Sequence, residues 1–155
     1  VTYVPSDDTA LLVRALTRVG GDSCLEIGFG SGAVLQSLVP RFPLVVGTDI
    51  TTVEQARDAK GSSEVVLADR ASCFRDETFD VVAFNPPYLP SGQIRDRAVD
   101  GGRGGIEVPM KFLGDALRVV KAGGRIYVLL SNHGDLDRFA ALCDGMGLSI
   151  REVAR

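Results

Sequence analysis

The sequence predicts an α/β fold: a doubly wound, mainly parallel sheet with helices on both faces, in the Rossmann-like class. Three observations carry this. Short apolar runs alternate with longer amphipathic runs along nearly the whole chain, and strands separated by helices pair in parallel. Glycine and proline fall between the runs, where turns are needed. Right-handed crossovers then place helices on both sides of the sheet.

The elements follow in order. Ser6 is a good N-cap, with Asp7 and Asp8 in the first turn where the helix dipole favours acids. Leu11, Leu12, Ala15, Leu16 and Val19 give that helix one apolar face before Gly20 and Gly21 end it. The segment 23–28, SCLEIG, is a strand, and 33–42 is helical until Pro40. LVVGTDI (44–50) is a second strand, TVEQARDAK (52–60) a helix closed by Gly61, and EVVLAD (64–69) a third strand. FDVVAF (79–84) is a fourth. A long irregular segment, 85–106, follows, with DGGRGG at 100–105 expected as a mobile loop. Residues 107–121 form an amphipathic helix ending at Gly123 and Gly124, 125–131 a fifth strand, 135–146 a helix and 148–154 a sixth strand.

The 155 residues suit one domain over 1–155, and a 45% hydrophobic content supplies its core. The net charge of −3 argues against a protein that grips nucleic acid mainly through its own basic surface. Cys24, Cys73 and Cys143 are odd in number and widely spaced, which reads as buried reduced thiols in a reducing, cytoplasmic compartment with no metal site. No apolar run reaches the ~20 residues of a membrane span, and no secretory signal is recognisable. The chain opens on Val1 instead of Met, as a trimmed or renumbered chain would.

Four stretches converge on one edge of such a sheet, because ligands bind outside the carboxyl ends of the strands. The first is EIGFGSGA (26–33), a strand-to-helix turn. Gly28 permits the tight turn, Gly30 lets a ligand approach the backbone, and Gly32 or Ala33 allows close helix packing. The second is Asp49, beside Ile50, at the distance along the chain where an acid takes ribose hydroxyls. These two fit either a dinucleotide or S-adenosylmethionine. Glu26 favours the latter, since an acid there would stand beside a pyrophosphate but suits an ammonium and a sulfonium. The third is Asp69, followed by Arg70, placed to meet an adenine amino group.

The fourth stretch is FNPPYLP (84–90). Prolines cannot extend a central strand, and Asn85 before Pro86 is pushed into an extended or turn conformation. The result is a stiff corner. An amide or exocyclic amine nitrogen is a poor nucleophile because its lone pair is delocalised. Two acceptors aimed at its N–H groups, the Asn85 side-chain oxygen and the Pro86 carbonyl, can draw it toward a nucleophilic state. Pro86 and Pro87 hold the carbonyl in place, which preorganises the acceptors. Tyr88 can stack on a flat target. Asn-Pro-Pro-Tyr is the motif of S-adenosylmethionine-dependent methyltransferases that act on planar amino nitrogens.

Taken together, these stretches resemble the HemK-related glutamine methyltransferases. YVPSDDTALLVRAL (3–16) is similar to their amino-terminal Tyr-x-Pro-x-x-Asp-Thr segment, EIGFGSG to their cofactor loop, FNPPYLP to their catalytic loop, and DGGRGG with Glu107 to their substrate loop. The short archaeal and eukaryotic type, without an extra helical domain, is the closer match. The resemblance implies S-adenosylmethionine as cofactor, packed under Tyr3, Pro5, Asp8 and Thr9. It implies N5-methylation of the glutamine in the Gly-Gly-Gln loop of a class-1 translation termination factor. It also implies a heterodimer with a small zinc-binding activator protein, for which the apolar edge strand 64–68 offers a place to add a strand. The family's sheet ends in a hairpin whose last strand lies between the fifth and sixth, whereas this chain stops at Arg155, so 148–154 is expected without its inner neighbour. Three other readings stand beside this one: an adenine-amino methyltransferase that flips its base, a nicotinamide-dependent oxidoreductase, and a non-catalytic binding module.

Overall fold

The structure is a computed structural model that describes residues 7–50 and 63–155. Five parallel strands form its sheet: β1 (Ser23–Ile27), β2 (Leu44–Asp49), β3 (Glu64–Leu67), β4 (Phe79–Phe84) and β7 (Val120–Val128), in the order β3-β2-β1-β4-β7. The order reverses at β1, whose neighbours are β2 and β4. That reversal opens a crevice at the carboxyl ends of the strands.

The helices are α1 (Asp7–Leu16), α2 (Ala33–Leu38), α3 (Glu107–Val119) and α4 (Leu136–Gly145). Side chains alternate across each strand, and two cores result. On one face Cys24, Val45, Val81 and Ala83 pack with Leu12 and Leu16 of α1 and Leu35 and Leu38 of α2. On the other, Leu25, Ile27, Val82 and Phe84 pack with Leu113, Ala116 and Val119 of α3 and Phe139 and Cys143 of α4. The doubly wound expectation therefore holds, with helices packed on both faces of the sheet.

The amino ends of the central strands are tied together by one side chain. Asp80 Oδ2 accepts from the backbone N–H groups of Asp22 and Ser23 at 3.1 and 2.9 Å, and Lys121 Nζ lies 2.9 Å from Asp80 Oδ1. This pulls Asp80 below the usual carboxylate range, the Lys121 contact being the largest cause. β1, β4 and β7 are thus pinned at the end opposite the crevice.

Several expectations are corrected. Residues 148–154 form no strand and join no sheet among the described residues, and Ile150 and Val153 lie exposed. Alternating apolar residues become a strand only where a neighbour answers their backbone groups. The helix from Glu107 ends at Val119, and Val120 enters β7 at once. The glycines at 123 and 124 sit inside that strand, where its register against β4 shifts. Cys73 is exposed, while Cys24 and Cys143 are buried free thiols. DGGRGG is no irregular loop: Asp100–Gly102 is strand β6, paired in parallel with β5 (Leu89–Pro90), and Arg103–Gly105 is a 3-10 turn. The expected helix at 52–60 and the Ser6 cap lie outside the described residues.

Candidate active site

At the strand ends a cleft of about 820 Å³ opens, within the usual size of small-molecule sites. Gly28, Asp49, Asp69 and Asn85 all line it, each following the carboxyl end of a different strand or closing it. The parallel registers that match Ile27 with Thr48 and with Phe84 set Gly28, Asp49 and Asn85 at one level, and Asp69 follows two residues beyond Leu67, the partner of Asp49.

The glycine turn is held by β2. Thr48 O accepts from Gly28 N at 2.7 Å and from Phe29 N at 3.1 Å, and Asp49 Oδ2 accepts from Gly30 N at 2.9 Å. Gly28, Gly30 and Gly32 all have positive φ, 74°, 49° and 77°, where a side chain would be strained. Asp49 thus fixes the turn as well as facing the cleft. Gly32 caps α2 and does not line the cleft.

Glu26 is the unusual residue of β1. It lines the cleft and is only 3% exposed, in a strand with no exposed position. Its Oε2 has no hydrogen-bond partner. Burial, and then the nearby Asp49 charge, push the carboxyl well above its ordinary value. Asn85 Oδ1 is likewise buried without a partner. Buried acceptors without donors are rare in folded proteins, and both of these point to something that enters the cleft.

The corner after β4 is fixed from two sides. Pro86 is fully buried, and the Tyr88 hydroxyl donates to Asp8 Oδ2 of α1. On the other side the ribbon crosses the backbone: Leu89 N donates to Val99 O at 2.9 Å and Ser91 N to Gly102 O at 3.0 Å. A Cβ on Gly101 would stand 2.6 Å from Tyr88 Cα, and one on Gly105 would strike the Tyr88 carbonyl oxygen. Gly101 and Gly105 of the DGGRGG run lie against this corner, where a side chain would not fit. Glu107 closes it, its Oε2 accepting from Arg103 N at 3.3 Å.

Of the residues that the sequence nominates, Thr9, Glu26, Gly28, Gly30, Asp49, Ile50, Asp69, Arg70, Asn85, Pro86, Pro87 and Tyr88 line one cleft. Asp8 does not; it belongs to Tyr88 instead. Tyr3 and Pro5 lie outside the described residues. Asp69 is paired with Arg70 at 2.9 Å, and Arg70 also holds Asp115 at 2.7 Å, so Asp69 is part of an ion-pair chain. Arg97 of the long segment faces the cleft, whereas Arg95 and Arg103 do not. Sequence reasoning missed the far wall, Val108, Lys111 and Phe112 of α3. Their i, i+3, i+4 spacing puts them on one helix face, the only signal that could have found them.

A family profile described as a methyltransferase domain matches residues 25–86, from β1 through the first proline of the corner. A protein of Methanocaldococcus jannaschii named as a protein N5-glutamine methyltransferase is 32% identical over 84% of this chain and 72% of its own length. The methyltransferase HEMK2 of Mus musculus is 31% identical over 82% of this chain and 70% of its own. The chain belongs to the HemK-related glutamine methyltransferases. A release factor glutamine methyltransferase of Rhodospirillum rubrum is 27% identical across 99% of this HemK-related chain and 54% of the relative. Among solved structures, a Bacillus halodurans protein described as a methyltransferase superposes with a TM-score of 0.60 at 21% identity, over 92% of this chain and 58% of its own. The methyltransferase in a Haloferax volcanii complex with the Trm112 methyltransferase activator gives 0.54 at 20%, over 80% and 56%. At these identities the two structures speak for the fold.

The site fits S-adenosylmethionine better than a dinucleotide. The orphaned Glu26 Oε2 is answered by a donor or a cation, and a pyrophosphate supplies neither. An ammonium and a sulfonium supply both. Ile50, 60% exposed at the rim, offers apolar surface to a flat base.

Proposed function

We propose that this chain, as a single methyltransferase domain, moves a methyl group from S-adenosylmethionine to the side-chain amide nitrogen of a glutamine. The acceptor is the Gly-Gly-Gln loop of a class-1 translation termination factor, as the names of the relatives suggest. The observation that carries the chemistry is the buried, unpartnered Asn85 Oδ1 on a proline-stiffened corner inside the cleft.

Residue roles follow from that placement. Glu26 faces the cationic end of the cofactor, Asp49 the ribose, and Ile50, Asp69 and Arg70 the adenine. Gly28 and Gly30 let it approach the backbone, Gly32 starts α2 beside it, and Thr9 closes over it, with Tyr3 and Pro5 assigned there by resemblance. Asn85 Oδ1 and the Pro86 carbonyl accept the two amide N–H groups of the target, and Tyr88 lies against its plane. Holding both N–H groups withdraws the nitrogen lone pair from the amide, and fixed acceptors do this without reorganising at the moment of reaction. The cofactor supplies an electrophilic methyl on a sulfonium. The nitrogen forms the new N–C bond and then loses a proton that transfer has made acidic, so no strong base is required of the chain.

The edge strand β3 supports a partner. Among the described residues no strand pairs with its outer edge, and Leu67 at its end is 49% exposed. An open, largely uncharged edge invites strand addition, and a small zinc-binding activator in a heterodimer fits it. Among the described residues no helix is long and apolar enough to cross a membrane, and the free thiols suit a reducing cytoplasm.

The test is labelled methyl transfer to three acceptors: the termination factor, the same factor with its loop Gln replaced, and ribosomal RNA. Each is run with and without the zinc-binding partner. Label confined to the unaltered factor is expected. Label on RNA alone would transfer the same corner to an adenine amino group.

A further inference from the structure

Resemblance assigns Asp8 to the cofactor, but in the structure its carboxylate meets the Tyr88 hydroxyl and does not line the cleft. The next residue, Thr9, is buried and does line it. One turn of α1 therefore touches the cleft with one side chain and the catalytic corner with another. α1 itself is anchored, since Leu12 and Leu16 lie in the core under β1 and β4. A group on a seated helix holds position better than one on a loop.

The Tyr88 backbone is held close by Gly101 and Gly105, and its ring is partly buried against the core. The bond to Asp8 sets the far, hydroxyl end of that ring. We infer that Asp8 is a positioning residue, which fixes the Tyr88 ring against the plane of the acceptor amide through its hydroxyl and leaves cofactor binding alone. This rests on the proposed amide methylation, and it deepens that reading by giving the amino-terminal helix a task in acceptor placement.

The experiment compares Asp8→Ala, Asp8→Asn, Tyr88→Phe and the double variant Asp8→Ala/Tyr88→Phe, with Asp7→Ala as control. Asp7 shares the helix's first turn and is exposed, so it reports any general effect on the helix. Cofactor affinity is read by calorimetry, and kcat and KM by transfer to the termination factor. A lost hydrogen bond to a charged group is worth roughly tenfold or more in rate. Asp8→Ala is expected to lower kcat by about that factor, with the cofactor Kd within about twofold of wild type. Asp8→Asn, whose amide oxygen still accepts from the phenol, restores most of it. The double variant is no slower than its slower parent, since both remove one interaction.

Loss of cofactor affinity in step with kcat would overturn the inference and return Asp8 to the cofactor. Additive losses in the double variant, or equal losses in Asp7→Ala, would overturn it too. Ring signals of Tyr88 in 13C-tyrosine-labelled protein, assigned through Tyr88→Phe, decide the contact without any acceptor. They should move in Asp8→Ala and stay in place in Asp7→Ala; an unmoved Tyr88 signal in Asp8→Ala would sink the inference. If the wild-type protein leaves the termination factor unlabelled, the substrate reading fails while this measurement still decides the role of Asp8.

Discussion

Among the described residues that line the cleft, Asn85 and Glu26 carry buried oxygens with no partner, which a bound molecule would answer. For Asn85 the expected outcome is a split. Asn85→Ala should retain cofactor binding in calorimetry and lose transfer by roughly 10²–10³-fold, the range for removing one preorganised group at a reacting centre. For Glu26 the expectation concerns protons. Its carboxyl is raised above an ordinary value of 4.5 by burial and by Asp49. A raised carboxyl contributes stability below the unfolded value, and that contribution is lost as pH climbs through the folded one. At neutral pH the free protein thus carries a cost that Glu26→Gln removes. Its melting midpoint should rise, by about 3 °C for each ~1 kcal/mol relieved, while its cofactor affinity falls. A cationic ligand also draws the proton off. Calorimetry in two buffers of different ionisation heat should show proton release on cofactor binding to wild type and none to Glu26→Gln. Wild-type cofactor affinity should therefore rise with pH.

At the level of elements, the glycine ribbon is what the sequence disguised. DGGRGG has the composition of a loose loop, yet Gly101 and Gly105 give close approach to Tyr88, and Gly102 gives it to Glu107. Composition reports that a side chain is missing and not which neighbour needs the space. Gly105→Ala puts a Cβ on the Tyr88 carbonyl at a φ of +68°. It should cost about 1–3 kcal/mol of stability, the range for one strained residue, and slow transfer by displacing the corner. Gly92→Ala, with open space around it, should do neither, and comparing the two melting curves checks this. The segment 148–154 teaches the complementary point. Its alternation is legible, but a strand is a property of two chains of backbone groups, and among the described residues no strand pairs with it. In contrast, FDVVAF and SCLEI read correctly because they are buried on both faces and bounded by breakers.

Across the whole molecule, function and stability sit at opposite ends of the same strands. The carboxyl ends carry the cleft, and the amino ends are pinned by Asp80 to Asp22, Ser23 and Lys121. Asp80 lies below the usual carboxylate range, so its contribution is present at neutral pH and is lost as pH falls through its lowered value. Asp80→Asn should lower the thermal midpoint at neutral pH, narrow its gap from wild type in acid, and leave cofactor affinity unchanged. This polarity is why so much of the site was legible. Alternation fixes a parallel sheet, and a parallel sheet sends Gly28, Asp49, Asp69 and Asn85 to one edge whatever the side-chain detail. The far wall at Val108, Lys111 and Phe112 and the Asp8 contact depend on how α1 and α3 are seated, which no local pattern states. Methylation of a glutamine amide is the reaction proposed for the corner at Asn85. Its most direct test is tandem mass spectrometry of the termination factor after reaction with wild-type protein and its partner. One methyl on the amide nitrogen of the Gly-Gly-Gln glutamine is predicted; a methyl on any other residue, or an unmodified factor beside methylated adenine in RNA, would rule that reaction out.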